Sequence, residues 1–266
     1  MGFVKSPEEI ALIESALSAP RFVNAQMLSV DFLTDPEVLA RLLPPPLRPA
    51  ATPRVTAMVG RWQSNCCGDF FGGAIYLAAR HGEIDGDYVL AMFMDNDTPL
   101  VFGRDTFGEP KKLATSNLYR RGDQFYGRVD RGGVRLIELH AVTDVDNGPF
   151  EGDVVNFNFK ARPAANGIGL EEDAILTRAT FAADLWVNLQ GVGSVTLRGT
   201  VHDPLDELPI VSVLRGAYVE GDLIARCEAV ATVPAADFLP YHYGRMDDWS
   251  ALNSAAAALL PVASRS

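Results

Sequence analysis

Phe107-Gly108-Glu109-Pro110-Lys111-Lys112-Leu113 sets two lysines side by side in a chain that otherwise avoids them. Of 23 basic side chains, only Lys5, Lys111, Lys112 and Lys160 are lysines. Arginine keeps its proton in proteins, whereas lysine can shed it, and the neutral amine adds to carbonyl carbon. Protonating two adjacent ammonium groups costs Coulomb energy, so a second cation favours the neutral form of the first. Consecutive strand side chains nevertheless point to opposite faces, which leaves burial in an apolar pocket as an equal source of the same effect. Pro110 fixes the backbone ahead of the pair, and Leu113-Ala114 continue it as a core strand. Lys111 is therefore the expected nucleophile and Lys112 its expected electrostatic neighbour, with a solvated pair at a strand entrance as the alternative. Glu109 shares the face of Lys111 in extended chain and would orient the amine or carry protons. As a surface acid it would instead pair with Lys112 or Arg104.

The surrounding sequence reads mainly as β-structure. Ser6-Pro7-Glu8-Glu9 is a capping box that opens a first helix with Ile10, Leu12, Ile13 and Leu17 on one stripe. A second helix starts at Asp35-Pro36, carries Val38, Leu39, Leu42 and Leu43, and stops at Pro44-Pro45-Pro46. Strands are expected over 54–62, 73–79, 88–94, 113–121, 124–129, 134–142, 154–160, 174–181, 194–201 and 222–233. Gly122-Asp123 and Arg131-Gly132-Gly133 supply hairpin turns. Ten strands, few helices and no repeat predict a closed or double-layered antiparallel β system. No linker divides the chain before residue 235, so 1–235 reads as one β domain. Residues 236–266 read as an extension that holds Tyr241-His242-Tyr243 and an Ala-rich helix after Asp248.

Met94-Asp95-Asn96-Asp97, then Gly103-Arg104-Asp105, then Pro110-Lys111-Lys112-Leu113 resembles the central segment of acetoacetate decarboxylase and its superfamily. Further matches are Phe22 and Asn24, Thr34-Asp35, Pro44 to Leu47, Gly86-Asp87-Tyr88, and Pro204-Leu205 before Leu208-Pro209. The resemblance spans about residues 20 to 235 and implies a β-barrel-like fold with an internal cavity. It makes Lys111, the first of the pair, the Schiff-base lysine. Acetoacetate decarboxylase is itself the known case of a lysine made reactive beside another cation, so the charge reading restates that case. Arg104 matches the Gly-Arg position, where it would grip a substrate carboxylate bidentately or pair structurally with Asp95 or Asp97. Trp62-Gln63 resembles a pair in superfamily members that perform aldol and dehydration chemistry, and both are expected to bind substrate. In the true decarboxylases an Arg and two acids line the pocket, and an ungapped reading places Ala25, Ala57 and Gly72 there. Asp69 and Arg61 lie near enough to substitute with a local shift.

Together these features predict a Schiff-base-forming lyase for a small or medium oxo acid or ketone, through aldol, retro-aldol, dehydration or cyclisation chemistry. A β-oxo-acid decarboxylase is the alternative, and a non-catalytic ligand-binding barrel is a third reading. The imine lysine replaces a cofactor, so none is expected. The family resemblance implies a homo-oligomer. A net charge of −11 and pI near 4.8 argue against nucleic acid and anionic membrane as partners. No apolar run reaches a membrane span, and no signal-peptide pattern opens the chain. Cys66, Cys67 and Cys227 form an odd set without CxxC spacing, and side chains at 66 and 67 should diverge in extended chain. A cytoplasmic, reduced protein is expected. His81, His140, His202 and His242 are scattered without metal-ligand spacing.

Overall fold

The computed structural model describes residues 2–250. The Ala-rich helix expected after Asp248 lies outside the described residues. The capping box is present: Glu9 Oε2 accepts from Ser6 N at 2.8 Å, Ser6 Oγ accepts from Glu9 N, and helix α1 (Pro7–Ser18) follows. None of its residues is buried, so its apolar stripe faces outward. Asp35 caps α2 (Pro36–Leu42) by accepting from Glu37 N and Val38 N, and Leu39 anchors that helix in the core.

Twelve strands carry most of the remaining chain. They are β1 (Arg21–Leu33), β2 (Arg48–Pro49), β3 (Arg54–Ser64), β4 (Gly68–His81), β5 (Ile84–Met94) and β6 (Lys111–Leu113). β7 (Thr115–Arg121), β8 (Gln124–Arg131), β9 (Val134–Asp146), β10 (Phe150–Lys160), β11 (Ala174–Leu197) and β12 (Ser212–Val233) follow. The order β10-β5-β4-β3-β1-β12-β11 closes on itself because β11 also pairs with β10, giving a seven-stranded barrel. The expected closed β system is thus present, with β9, β8 and β7 continuing from β11 as a second layer.

Alternation along β1, β3 and β4 assigns the two faces. Leu28, Val30, Val55, Val59, Ile75 and Leu77 point outward into a core shared with Val129, Leu136 and Ile137 of the second layer. Gly127 of β8 packs so closely that a Cβ there would stand 2.9 Å from Val59 Cβ. The alternating partners Met27, Ser29, Thr56, Met58, Ala74 and Tyr76 point inward and line the barrel interior.

Three differences from the sequence expectation have local causes. β1 is absent from the expected strands because a register shift between Phe22 and Ala25, with Asn24 at φ 50°, breaks its period of two. The segments expected at 174–181 and 194–201 are one strand, β11, which pairs with β10 in its first half and with β9 in its second. Residues Ala235–Gly244 form a helix, α4, despite Pro240, and Phe238 is fully buried against Phe159 with ring centroids 4.6 Å apart.

Candidate active site

β5 ends at Met94, and the chain then turns through helix α3 (Asp97–Phe102) and a single wide turn, Gly103–Phe107. Gly108 at φ 80° reverses the backbone so that β6 returns parallel to β5, with Lys111 opposite Met92. β6 has only three residues, and its pleat sends adjacent lysines to opposite sides.

Lys111 points into the barrel, with its side chain 7% exposed. Its Nζ lies 2.7 Å from Glu109 Oε2 and donates to Pro99 O at 3.1 Å. Glu109 is equally buried, so the pair sits at the floor of a water-poor site where Coulomb interactions are strong. Gly103 closes over it: a Cβ there would stand 2.2 Å from Glu109 Oε2 and 2.5 Å from Lys111 Nζ.

Lys112 faces the other way. Its Nζ donates to His202 O at 2.7 Å, Asp203 Oδ1 at 2.8 Å and Met246 O at 3.2 Å, with Asp247 Oδ1 3.2 Å away. Arg131 pairs with the same two carboxylates, making a half-buried four-member cluster around the buried Asp203. The Lys112 ammonium is thus matched by two carboxylates on the opposite side of β6 from Lys111. Removing one partner from such a cluster leaves charge buried and unmatched. We expect Lys112→Met to lower stability by about 3 kcal/mol, a fall of about 10 °C in Tm for a chain of this size. A thermal melt within 2 °C of wild type would refute this.

The chamber above Lys111 has a volume of about 270 Å³. Phe22, Trp62, Phe70, Met58, Met92 and Leu223 give it an apolar wall, with Trp62 and Phe70 stacked at 5.3 Å. Polar groups enter from strands distant in sequence: Ser29, Thr56, Tyr76, Asp87 and Asn156. Burial raises the Tyr76 phenol far above its usual range, and the charges of Glu109 and Asp87 push the same way. Its hydroxyl stays protonated and, among the described residues, has no hydrogen-bond partner, which leaves it free to donate to a bound ligand. Burial also raises the Asp87 carboxyl, against the pull of Arg54 at 2.7 Å. No arginine lines the chamber among the described residues.

Of the residues expected from sequence, Lys111, Glu109 and Trp62 meet at this chamber. Gln63 does not, because the pleat that turns Trp62 inward turns its neighbour away. Arg104 does not line it either; its Nη1 donates to Lys111 O at 3.0 Å, and it pairs with neither Asp95 nor Asp97. Ala25, Ala57 and Gly72 are also off the chamber wall. Ala57 belongs to the outer core, while its neighbours Thr56 and Met58 face inward. Tyr76, Asp87 and Asn156 escaped sequence reasoning, although Gly86-Asp87-Tyr88 carried part of the resemblance.

Cys66 and Cys67 are corrected as well. They sit in the β3–β4 turn rather than in extended chain, and their sulfurs lie 3.5 Å apart. The hydrogen bond shared by the two thiols lowers Cys66 to about 6, while burial raises Cys227 to about 11. Cys66 is thus mostly thiolate at pH 7, and its charge is lost as pH falls through 6. We expect iodoacetamide to modify Cys66 first, with a rate that rises through pH 6; prior labelling of Cys227 in peptide mass maps would contradict it.

The C-terminal segment secures the loop that carries Lys111. Arg245 donates through Nη1 to Phe159 O at 3.0 Å and through Nη2 to Gly108 O, while Met246 and Asp247 hold Lys112. No set of three or more His, Cys, Asp or Glu is arranged to hold a metal among the described residues. No helix among them is long and apolar enough to cross a membrane.

A closed β-barrel with a buried lysine–carboxylate pair at the floor of an apolar chamber defines the class of protein. The family model for acetoacetate decarboxylase (ADC) matches residues 10–232, and the chain belongs to that enzyme family. It is 25% identical over 210 residues to acetoacetate decarboxylase of Burkholderia lata, covering 76% of this chain and 84% of the relative. The solved acetoacetate decarboxylase of Legionella pneumophila superposes with TM-score 0.73 at 23% identity, covering 80% of this chain and 87% of that one. The enduracididine biosynthesis enzyme MppR, solved with the condensation product of pyruvate and imidazole 4-carboxaldehyde, superposes with TM-score 0.70 at 17% identity. That match covers 83% of this chain and 90% of MppR.

Proposed function

We propose that the protein is a lyase that binds a small or medium oxo acid or ketone as an imine of Lys111 and carries out aldol, retro-aldol, dehydration or cyclisation chemistry. The observation that carries this reading is the Lys111 amine, buried 2.7 Å from Glu109 beneath an apolar chamber. The amine adds to the ketone carbon, the carbinolamine loses water, and the protonated imine accepts the electron pair released at the neighbouring carbon. Glu109 is within reach to take a proton from the ammonium and return one to the departing hydroxyl. Tyr76 donates a hydrogen bond to a substrate oxygen in the chamber. The condensation product bound to MppR favours carbon–carbon bond chemistry for this scaffold over simple carbon dioxide loss.

β-Oxo-acid decarboxylation is the second reading, favoured by the curated relatives. An arginine-free chamber holding two carboxylates, Asp87 and Glu109, argues against rapid turnover of acetoacetate, whose carboxylate must be held until it leaves. Borohydride reduction in the presence of pyruvate should add the reduced pyruvyl mass to the peptide containing Lys111. Absence of that adduct with pyruvate and with acetoacetate would remove imine catalysis. Acetoacetate turnover of about 10 s⁻¹ or more, an ordinary enzymatic rate, would establish the decarboxylase instead.

A further inference from the structure

We propose that a second cavity, which shares Glu109 alone with the lysine chamber, binds a small oxyanion bearing a carboxylate or phosphate group. This cavity has a volume of about 510 Å³ and gathers Arg104, Lys160, Arg245 and His242. Among the described residues, Arg104, Lys160 and Arg245 have no carboxylate within 4.0 Å. Arg104 meets only a carbonyl, Lys111 O, and Arg245 meets two, Phe159 O and Gly108 O. Glu109, which also lines the cavity, is paired with Lys111 at 2.7 Å, and the acids at the rim are engaged elsewhere or unpaired. Glu172 lies 3.7 Å from Arg162, Asp173 accepts from Ala235 N at 2.9 Å, and Asp105 is exposed with no ion pair.

Two buried polar atoms point to a missing ligand. His242 is 5% exposed, yet its Nε2 has no hydrogen-bond partner, and Arg245 Nε has none either. Buried polar atoms in folded proteins are nearly always satisfied, and here the half-buried Arg245 and buried His242 each keep one that is not. Burial, followed by the charges of Arg245 and Arg104, pushes the His242 imidazole down to about 4, so it is neutral at pH 7 and offers one N–H. A planar or tetrahedral oxyanion supplies the several acceptors that such an array of donors requires. His242 lies on α4 and Arg245 just after it, beyond residues 10–232, while Arg104 and Lys160 lie within them.

The test is calorimetric titration of the full chain, in chloride-poor buffer, with inorganic phosphate and with malonate. Saturable 1:1 binding of either, with Kd about 1 mM or tighter, is expected. Among the described residues the Lys160 side chain makes no hydrogen bond or ion pair, so Lys160→Gln should stay folded and bind at least tenfold more weakly. The same variant should still form the borohydride-trapped pyruvate adduct at Lys111. The proposal is overturned by absence of saturable heat with both anions, by unchanged affinity in Lys160→Gln, or by binding that disappears in Lys111→Arg, which would place the anion in the lysine chamber. Calorimetry on the resting protein is independent of imine chemistry, so either reading can fail without the other.

Discussion

Lys111→Arg is expected to eliminate both borohydride-trapped adduct and turnover. Arginine preserves the positive charge beside Glu109 and keeps its guanidinium protonated, so it cannot add to a ketone. The charge balance of the buried pair is thereby retained, and loss of activity reports chemistry rather than collapse of the site. The other lysines cannot stand in. Lys112 is held by Asp203 on the far side of β6, Lys5 pairs with Glu9 on α1, and Lys160 lines the second cavity. Mass analysis of the reduced pyruvate complex, with circular dichroism as a control for folding, decides the matter. A wild-type yield of adduct in the variant would place the nucleophile elsewhere.

Gly103→Ala is the second large effect, and it removes no catalytic group. Gly103 has φ −68°, so alanine fits the backbone without strain. The added Cβ would nevertheless lie 2.2 Å from Glu109 Oε2 and 2.6 Å from Lys111 Cδ. Side-chain ends move more readily than backbone, so the fold should persist while the ammonium and carboxylate are displaced. A misplacement of about 1 Å costs on the order of a hundredfold in rate. Single-turnover trapping with pyruvate should slow by about that factor, with the thermal midpoint changed by only a few degrees. A rate within twofold of wild type would show that the spacing of the pair does not matter.

The sequence disclosed the features whose causes are local. The capping box at Ser6 and the positions of Lys111 and Glu109 depend on residues a few places apart, and the chain states them directly. The opposite directions of Lys111 and Lys112 also follow from the pleat, but which partners Lys112 meets does not. Asp203 and Asp247 are 91 and 135 residues away, and only the fold brings them to one place. The same holds for the chamber: Tyr76, Asp87 and Asn156 come from three strands whose registry closes around the barrel. Adjacent residues of a strand take opposite faces, so Ala57 lies in the outer core and Thr56 in the chamber, and one residue of slip would exchange them. At Cys66-Cys67 the assumption of extended chain hid a turn that brings the sulfurs together.

The clamp formed by Arg245, Met246 and Asp247 has a consequence for the order in which the protein is made. Gly108 and Lys112 leave the ribosome long before the groups that hold them, 137 residues ahead of Arg245 and 134 ahead of Met246. At synthesis rates of about 5–20 residues per second, the loop that carries Lys111 waits many seconds without its fastening. β12, which closes the barrel between β1 and β11, also arrives late. A chain that has not yet reached residues 245–247 therefore carries Lys111 without the contacts that hold its loop.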